Sequence, residues 1–267
     1  MPFGISDNLF KRIVSAVLLL PVVLWPIYAG GWWFAGLLAL GGALMIIEWC
    51  GLTKVEPRLL HGLSAALLAL LVPVLLATGF GAVALLIVGL TGLALLGRML
   101  VKASPSVGWW LTGLGYVALP LVALFYIREA SALVVFWVFL VVWATDVGGY
   151  FAGKGIGGPK LAPKISPKKT WAGLLGGMAL SSAVSVAFAA FFEFDNGYWW
   201  VAGLLAAWAQ VGDLLESGIK RSFGVKDSGG LIPGHGGLLD RVDGLVFVAP
   251  AVALLMTFYP LFGFELS

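Results

Sequence analysis

The sequence predicts an all-α, polytopic membrane protein with about nine transmembrane helices and a cytoplasmic N-terminus. Three observations carry that reading. Of 267 residues, 61% are hydrophobic and only 11% charged, with a mean hydropathy of +1.02, whereas soluble domains average about 25% charged. Apolar runs of roughly 20 residues, enough to cross about 30 Å of hydrocarbon, recur along the chain. Fifteen of the sixteen Lys and Arg fall on alternate connections between those runs. The apolar excess excludes disorder, and the single Cys50 excludes an internal disulfide framework. A net charge of +3 without an aromatic-interleaved basic stripe gives no reason to expect nucleic acid as a partner.

Taken in order, the spans fall at 12–29, 32–52, 60–78, 81–98, 109–127, 132–151, 171–192, 197–217 and 243–263. The first follows a polar Met1 to Arg12 segment without a small-residue cleavage pattern, so it reads as a retained span and not a signal peptide. Gly30-Gly31, Lys54 to Arg58, Gly79 to Gly81, Lys102 to Gly108, Arg128-Glu129 and Glu193 to Gly197 mark the breaks. Tryptophan doublets at 32–33, 109–110 and 199–200 open spans, where amphipathic rings favour the headgroup zone. Small residues in Gly36 to Gly42 and Gly173 to Gly177 suit close helix packing.

Lys11, Arg12, Lys54, Arg58, Arg98, Lys102, Lys154, Lys160, Lys164, Lys168, Lys169, Lys220, Arg221, Lys226 and Arg241 share one side, and Arg128 lies on the other. Basic residues in short loops stay cytoplasmic, so the N-terminus is expected inside and the C-terminus outside. The chain divides into N-terminal transmembrane helices, 1–130, and a C-terminal region, 131–267, whose charged segments face the cytoplasm.

Charge concentrates in two cytoplasmic segments, Asp146 to Lys169 and Asp213 to Asp243, which hold six of the thirteen acids and nine of the sixteen bases. Asp146, Asp213 and Glu216 fall within or at the ends of apolar spans, where an ionised carboxylate needs a cation, a partner or water. Asp213, Glu216 and Lys220 share a helical face, and Asp240 and Asp243 are three residues apart. Converging carboxylates suit a hard divalent cation such as Mg²⁺. An ion-pair network of Asp213 and Glu216 with Lys220 and Arg221 is the alternative, and Asp240 to Asp243 also suits a helix start. Glu48 and Cys50 read as packing or interface residues. Gly229-Gly230, Gly234, Gly236 and Gly237 surround Pro233 and His235, a loop whose N–H groups suit a phosphate, and Gly153 to Gly158 offers a second such run. The basic residues equally suit anionic lipid headgroups.

Ser217 to Asp243 resembles the signature of the phosphatidate cytidylyltransferase (CDP-diacylglycerol synthase) family. The pattern is filled by Ser217, Lys220-Arg221, Lys226-Asp227, Pro233, His235-Gly236-Gly237 and Asp240-Arg241-Asp243. Asp146, Tyr150, Gly153-Lys154 and Leu161 to Thr170, with its Ser-Pro-x-Lys-Thr-Trp run, resemble a second block of that family. Ala172 departs from it, standing where many relatives carry Glu or Gln.

The resemblance implies that CTP and phosphatidate give CDP-diacylglycerol and pyrophosphate, for phospholipid synthesis at the inner membrane. It implies Mg²⁺, alone or with a second cation, on Asp213, Asp240 and Asp243. Lys220, Arg221, Lys226 and Arg241 would neutralise phosphates, and His235 would hydrogen-bond the leaving group. Asp146, Lys164, Ser166, Lys168, Lys169, Thr170, Ser217, Asp227, Gly236 and Gly237 would contact substrate. Membrane lipids and a second copy in a homodimer are the other expected partners. The rivals are a transporter or channel with intramembrane acids and a CTP-dependent lipid kinase. Acids gathered at one end and the absence of a visible inverted repeat weigh against the first.

Overall fold

The structure, a computed structural model, describes residues 7–56, 59, 61–67, 105–193, 199–232 and 236–258. The expected span 81–98, most of 60–78 and the end of 243–263 lie outside the described residues, as do Arg98, Lys102, Pro233 and His235. The elements are α1 (Asp7–Ala29), α2 (Gly31–Leu52), α3 (Pro105–Ala130), α4 (Ala132–Gly155), β1 (Lys160–Ala162), β2 (Ser166–Thr170), α5 (Trp171–Phe192), α6 (Trp199–Ser222) and α7 (Leu239–Phe258). Among the described residues, four helices are long and apolar enough to cross a membrane: Gly31–Leu52, Val107–Ala130, Ala132–Gly155 and Trp171–Phe192. The chain forms two compact units, Met1–Phe125 with Val225–Val242, and Tyr126–Gly224 with Asp243–Ser267.

In the first unit α1 packs on α2, and α2 is anchored by Trp49. The Trp49 ring is fully buried, stacks on Tyr116 at 4.8 Å between centroids, and donates Nε1–H to the Trp109 carbonyl at 2.8 Å. Gly113 makes room for it, since a Cβ there would lie 2.2 Å from the indole. Of the expected packing glycines on α2, Gly42 meets Leu121, whereas a Cβ at Gly36 or Gly41 would touch nothing within 4 Å. Trp32 and Trp33 are exposed, as headgroup residues should be. Trp109 and Trp110 differ from expectation: both are half-buried, and the Trp110 indole donates to Ser64 Oγ at 2.6 Å. A polar partner inside the protein competes successfully with the interface.

In the second unit α4 and α5 approach backbone to backbone. A Cβ on Gly148 would fall 2.5 Å from the Gly176 carbonyl, and one on Gly176 would fall 2.2 Å from Ala152 Cβ. A Cβ on Gly173 or Gly177 would fall 2.9 Å from the Gly149 or Thr145 carbonyl, so the 173–177 glycines pack as expected. Above them the helices share buried hydroxyl bonds: Thr145 with Ser181 at 2.9 Å, Ser181 to the Val141 carbonyl at 3.0 Å, and the Trp137 indole to Ser185 at 2.8 Å. Small residues and interhelical hydrogen bonds of this kind hold helices together where lipid removes the hydrophobic drive. α6 packs on both helices.

The stretch after Asp146 is more ordered than the loop expected from sequence. α4 continues to Gly155 and stops where Gly157 and Gly158 take φ of +71° and +88°, a conformation suited to glycine. The chain then forms an antiparallel hairpin, Lys160 opposite Thr170 and Ala162 opposite Ser166, so the described residues are helical with a small ribbon rather than all-α. Pro159, Pro163 and Pro167 disfavour helix across this stretch. The Trp171 N–H closes it on the Pro159 carbonyl at 3.1 Å, and Thr170 Oγ1 caps α5 by accepting from Gly173 N–H at 3.0 Å.

Gly176→Leu should force α4 and α5 apart, at a cost of about 1–3 kcal/mol or more for overpacking. Thermal unfolding in detergent should show a lowered midpoint, while Gly155→Ala, whose Cβ would meet nothing within 4 Å, stays near wild type.

Candidate active site

A cavity of about 370 Å³ opens in the second unit at the end of the α4–α5 contact. α4 lines it with Asp146, Gly149, Tyr150, Gly153 and Lys154, and the hairpin contributes Lys168, Lys169 and Thr170. α5 adds Gly173 and Leu174, and α6 adds Gln210 and Asp213. Gly173, one of the glycines that let the helices touch, leaves bare backbone on the cavity wall together with Gly149 and Gly153. The Lys169 ammonium forms an ion pair with Asp213. Its Nζ is buried, yet it donates no aligned hydrogen bond among the described residues. An ammonium carries three donors, so this one calls for further acceptor oxygens at the cavity. Asp213 also accepts from Ser217 Oγ at 3.2 Å.

One turn along α6, Glu216 is fully buried and takes a hydrogen bond from Lys220 Nζ at 3.0 Å. The expected ion-pair alternative therefore holds for this couple, and Lys220 is engaged within its own helix. Asp146, Asp213 and Glu216 are the acidic neighbours whose charge Asp243 feels. Such a like-charged group favours a cation, and its hard oxygen donors suit Mg²⁺. Among the described residues, however, no three acids, His or Cys are gathered closely enough to hold a metal as they stand.

Among the described residues of the first unit's glycine loop, several N–H groups meet the protein's own carboxylates. Asp240 Oδ2 accepts from the Ser228 and Gly237 N–H groups, both at 2.9 Å. Glu48, near the end of α2, accepts from Leu238 N–H at 2.9 Å, Leu239 N–H at 3.0 Å and Ser228 Oγ at 3.3 Å. Four of the loop N–H groups thus point at the protein's own carboxylates. Ile232 N–H to the Gly236 carbonyl, at 2.9 Å, closes the turn, with Gly236 at φ +83°. The second glycine run ends α4, with its Gly153 and Lys154 on the wall of the cavity.

Comparison with known proteins bears on the same residues. A sequence profile of the Cytidylyltransferase family matches residues 10–259. The chain belongs to that family. A phosphatidate cytidylyltransferase of Brucella suis biovar 1 (strain 1330) is 38% identical over 265 residues, covering 96% of this chain and 95% of the relative. One from Brucella abortus biovar 1 (strain 9-941) is equally similar over the same shares. One from Staphylococcus aureus (strain COL) is 42% identical over 149 residues, 55% of this chain and 57% of its own.

Of the residues that the family resemblance marked, Asp146, Lys168, Lys169, Thr170 and Asp213 line the cavity, and Ser217 supports Asp213. Thr170 is occupied as a helix cap. Lys164, at the exposed hairpin tip, and Ser166, at the start of β2, are not among the lining residues. Lys226 and Asp227 are exposed in the first unit's loop, Arg221 and Arg241 are exposed near helix ends, and His235 lies outside the described residues. α7 begins at Leu239, so Asp240 lies in its first turn, as the helix-start alternative requires, with Asp243 one turn on. Sequence reasoning missed two side chains. Gln210 is a polar residue inside an apolar run, three before Asp213 and on its face. Glu48 is an acid inside an apolar span, the signal that marked Asp146 and Asp213.

Lys169→Met should leave Asp213 without its ion partner in a half-buried setting, costing about 1–3 kcal/mol, between the values for exposed and fully buried pairs. Chemical unfolding in detergent checks this, and adding Asp213→Asn should recover part of the loss.

Proposed function

We propose that this chain transfers the cytidylyl group of CTP to phosphatidate, releasing pyrophosphate and leaving CDP-diacylglycerol in the membrane. Membership of the Cytidylyltransferase family over residues 10–259 and the named activity of its relatives support the reaction. The observation that carries the site is the buried Lys169 ammonium at a cavity flanked by Lys154 and Lys168. Two anionic substrates must meet there. A phosphate oxygen of phosphatidate attacks the α-phosphorus of CTP in line, a new P–O bond forms, and the bond to the β-phosphate bridging oxygen breaks. A phosphate monoester is largely ionised near neutral pH, so no general base is required. The protein's task is positioning and charge neutralisation.

Lys154, Lys168 and Lys169 would hold phosphate oxygens at the cavity. Arg221, Lys226 and Arg241 would neutralise the rest of the triphosphate or the lipid phosphate, with Asp227, Gly236 and Gly237 shaping the loop and His235 bonding the leaving group. Lys164 and Ser166 would meet the headgroup from the hairpin. Asp213, Asp240 and Asp243 would hold Mg²⁺, alone or with a second cation, which supplies Lewis acidity when bound. The active region would be residues 131–267 with the signature loop. The chain would cross the inner membrane about nine times, N-terminus and site in the cytoplasm, as a homodimer.

Purified protein in detergent with labelled CTP, phosphatidate and Mg²⁺ should produce a nucleotide-bearing lipid and pyrophosphate, and EDTA should abolish turnover. Release of CDP with no nucleotide on the lipid would identify γ-phosphoryl transfer and defeat the proposal. Orientation has its own test. Cys50 is buried, giving little labelling background. Lys164→Cys should react with an impermeant maleimide in inverted vesicles and Arg128→Cys only in right-side-out ones. The reverse pattern would overturn the topology.

A further inference from the structure

We propose that Glu48 is a positioning residue for this transfer, holding the glycine loop and, through it, the Asp240 carboxylate. The inference rests on the reaction proposed above. Among the described residues Glu48 has no ion-pair partner. Its charge is met instead by donors 180 to 191 residues away in sequence. Oε1 accepts from Leu238 N–H at 2.9 Å. Oε2 accepts from Leu239 N–H at 3.0 Å and Ser228 Oγ at 3.3 Å.

The cradle is shaped for this carboxylate. A Cβ on Gly229 would lie 2.9 Å from Oε1, and one on Gly237 would lie 2.6 Å from Oε2. Any larger residue at either place would push the carboxylate out. The donors of Glu48 interlock with those of Asp240. Ser228 gives its hydroxyl to Glu48 and its N–H to Asp240, while Gly237, which donates to Asp240, directly precedes Leu238. A displacement of Glu48 therefore moves the groups that orient Asp240. The carboxylate form matters, because glutamine has one acceptor oxygen and its NH₂ would face either Leu238 N–H or Leu239 N–H.

Glu48→Gln keeps the shape and volume of the side chain. Hydrogen exchange of the 236–240 amides, followed in detergent without substrate, should accelerate about tenfold or more, one hydrogen-bonded clamp being worth about 1.4 kcal/mol or more when charged. Exchange in α4 and α5 should be unchanged. kcat should fall about 10- to 100-fold, as for other outer-shell supports, with KM for CTP nearly constant, the pattern of a lost transition-state alignment. Unchanged exchange, or faster exchange with normal kcat, overturns the proposal. So does a loss confined to KM. If Glu48→Gln does not fold, Gly229→Ala presses on the same carboxylate from the loop and should give the same pair of changes. Wild-type protein that makes no nucleotide-bearing lipid would defeat the reaction itself, and the exchange readout would still decide whether Glu48 clamps the loop.

Discussion

The approach of α4 to α5 is the contact on which the cavity depends. Glycine meets backbone at Gly148 and Gly176, leaving no side-chain layer between the helices. Inside lipid, apolar side chains gain nothing by leaving a neighbouring acyl chain, so contact of this closeness and buried hydroxyl bonds must supply the association. Thr145, Ser181 and Ser185 provide those bonds along the same seam. Where the seam ends, Gly149, Gly153 and Gly173 continue as the walls of the cavity. Packing and site are therefore built from one run of small residues. The polar groups come from the rim: Asp146 on α4, the hairpin lysines, and Asp213 on α6.

Within each unit, some of the acids are answered before any ligand enters. Asp213 has Lys169 and Ser217, and Glu216 has Lys220. In the other unit Glu48 and Asp240 divide the loop's N–H groups between them. Charges in apolar helices are costly enough to make such assignment necessary. The consequence is functional. A lysine already held by an acid, such as Lys169, is oriented in advance and has less freedom to lose on meeting any anion, which is the advantage of preorganisation.

Much of this was legible in the sequence, and the exceptions have physical causes. Span limits at 32–52 and 171–192 agree with α2 and α5 because Gly30, Thr53 and Thr170 punctuate strongly. The site lysines, Asp146 and Asp213 stood out because charge is so scarce. The hairpin did not, since its register depends on closure of Trp171 on Pro159, a tertiary contact that no local pattern announces. Glycine richness in the signature loop suggested room for anions from outside, and the sequence did not show that Gly229 and Gly237 are also small enough to admit Glu48. Glu48 itself carried the right signal, an acid in an apolar span, but its partners lie some 190 residues on and no spacing rule connects them.

With the Ser228, Gly237, Leu238 and Leu239 N–H groups turned to the protein's own carboxylates, phosphate charge has to be met by donors other than these four. Fixed backbone donors suit a charge that stays in one place, as in a resting triphosphate. In cytidylyl transfer the charge moves from the attacked phosphorus onto the departing pyrophosphate. Lysine and arginine on long flexible stems can follow that movement, while a carboxylate-clamped loop keeps its own geometry constant as the charge shifts. The arrangement suits a separation of two tasks: Glu48 and Asp240 take four backbone donors to hold the loop, and side-chain cations such as Lys154 and Lys168 stand at the cavity, where they could accompany phosphates. A reaction that requires little covalent help from protein has its demands concentrated in that division.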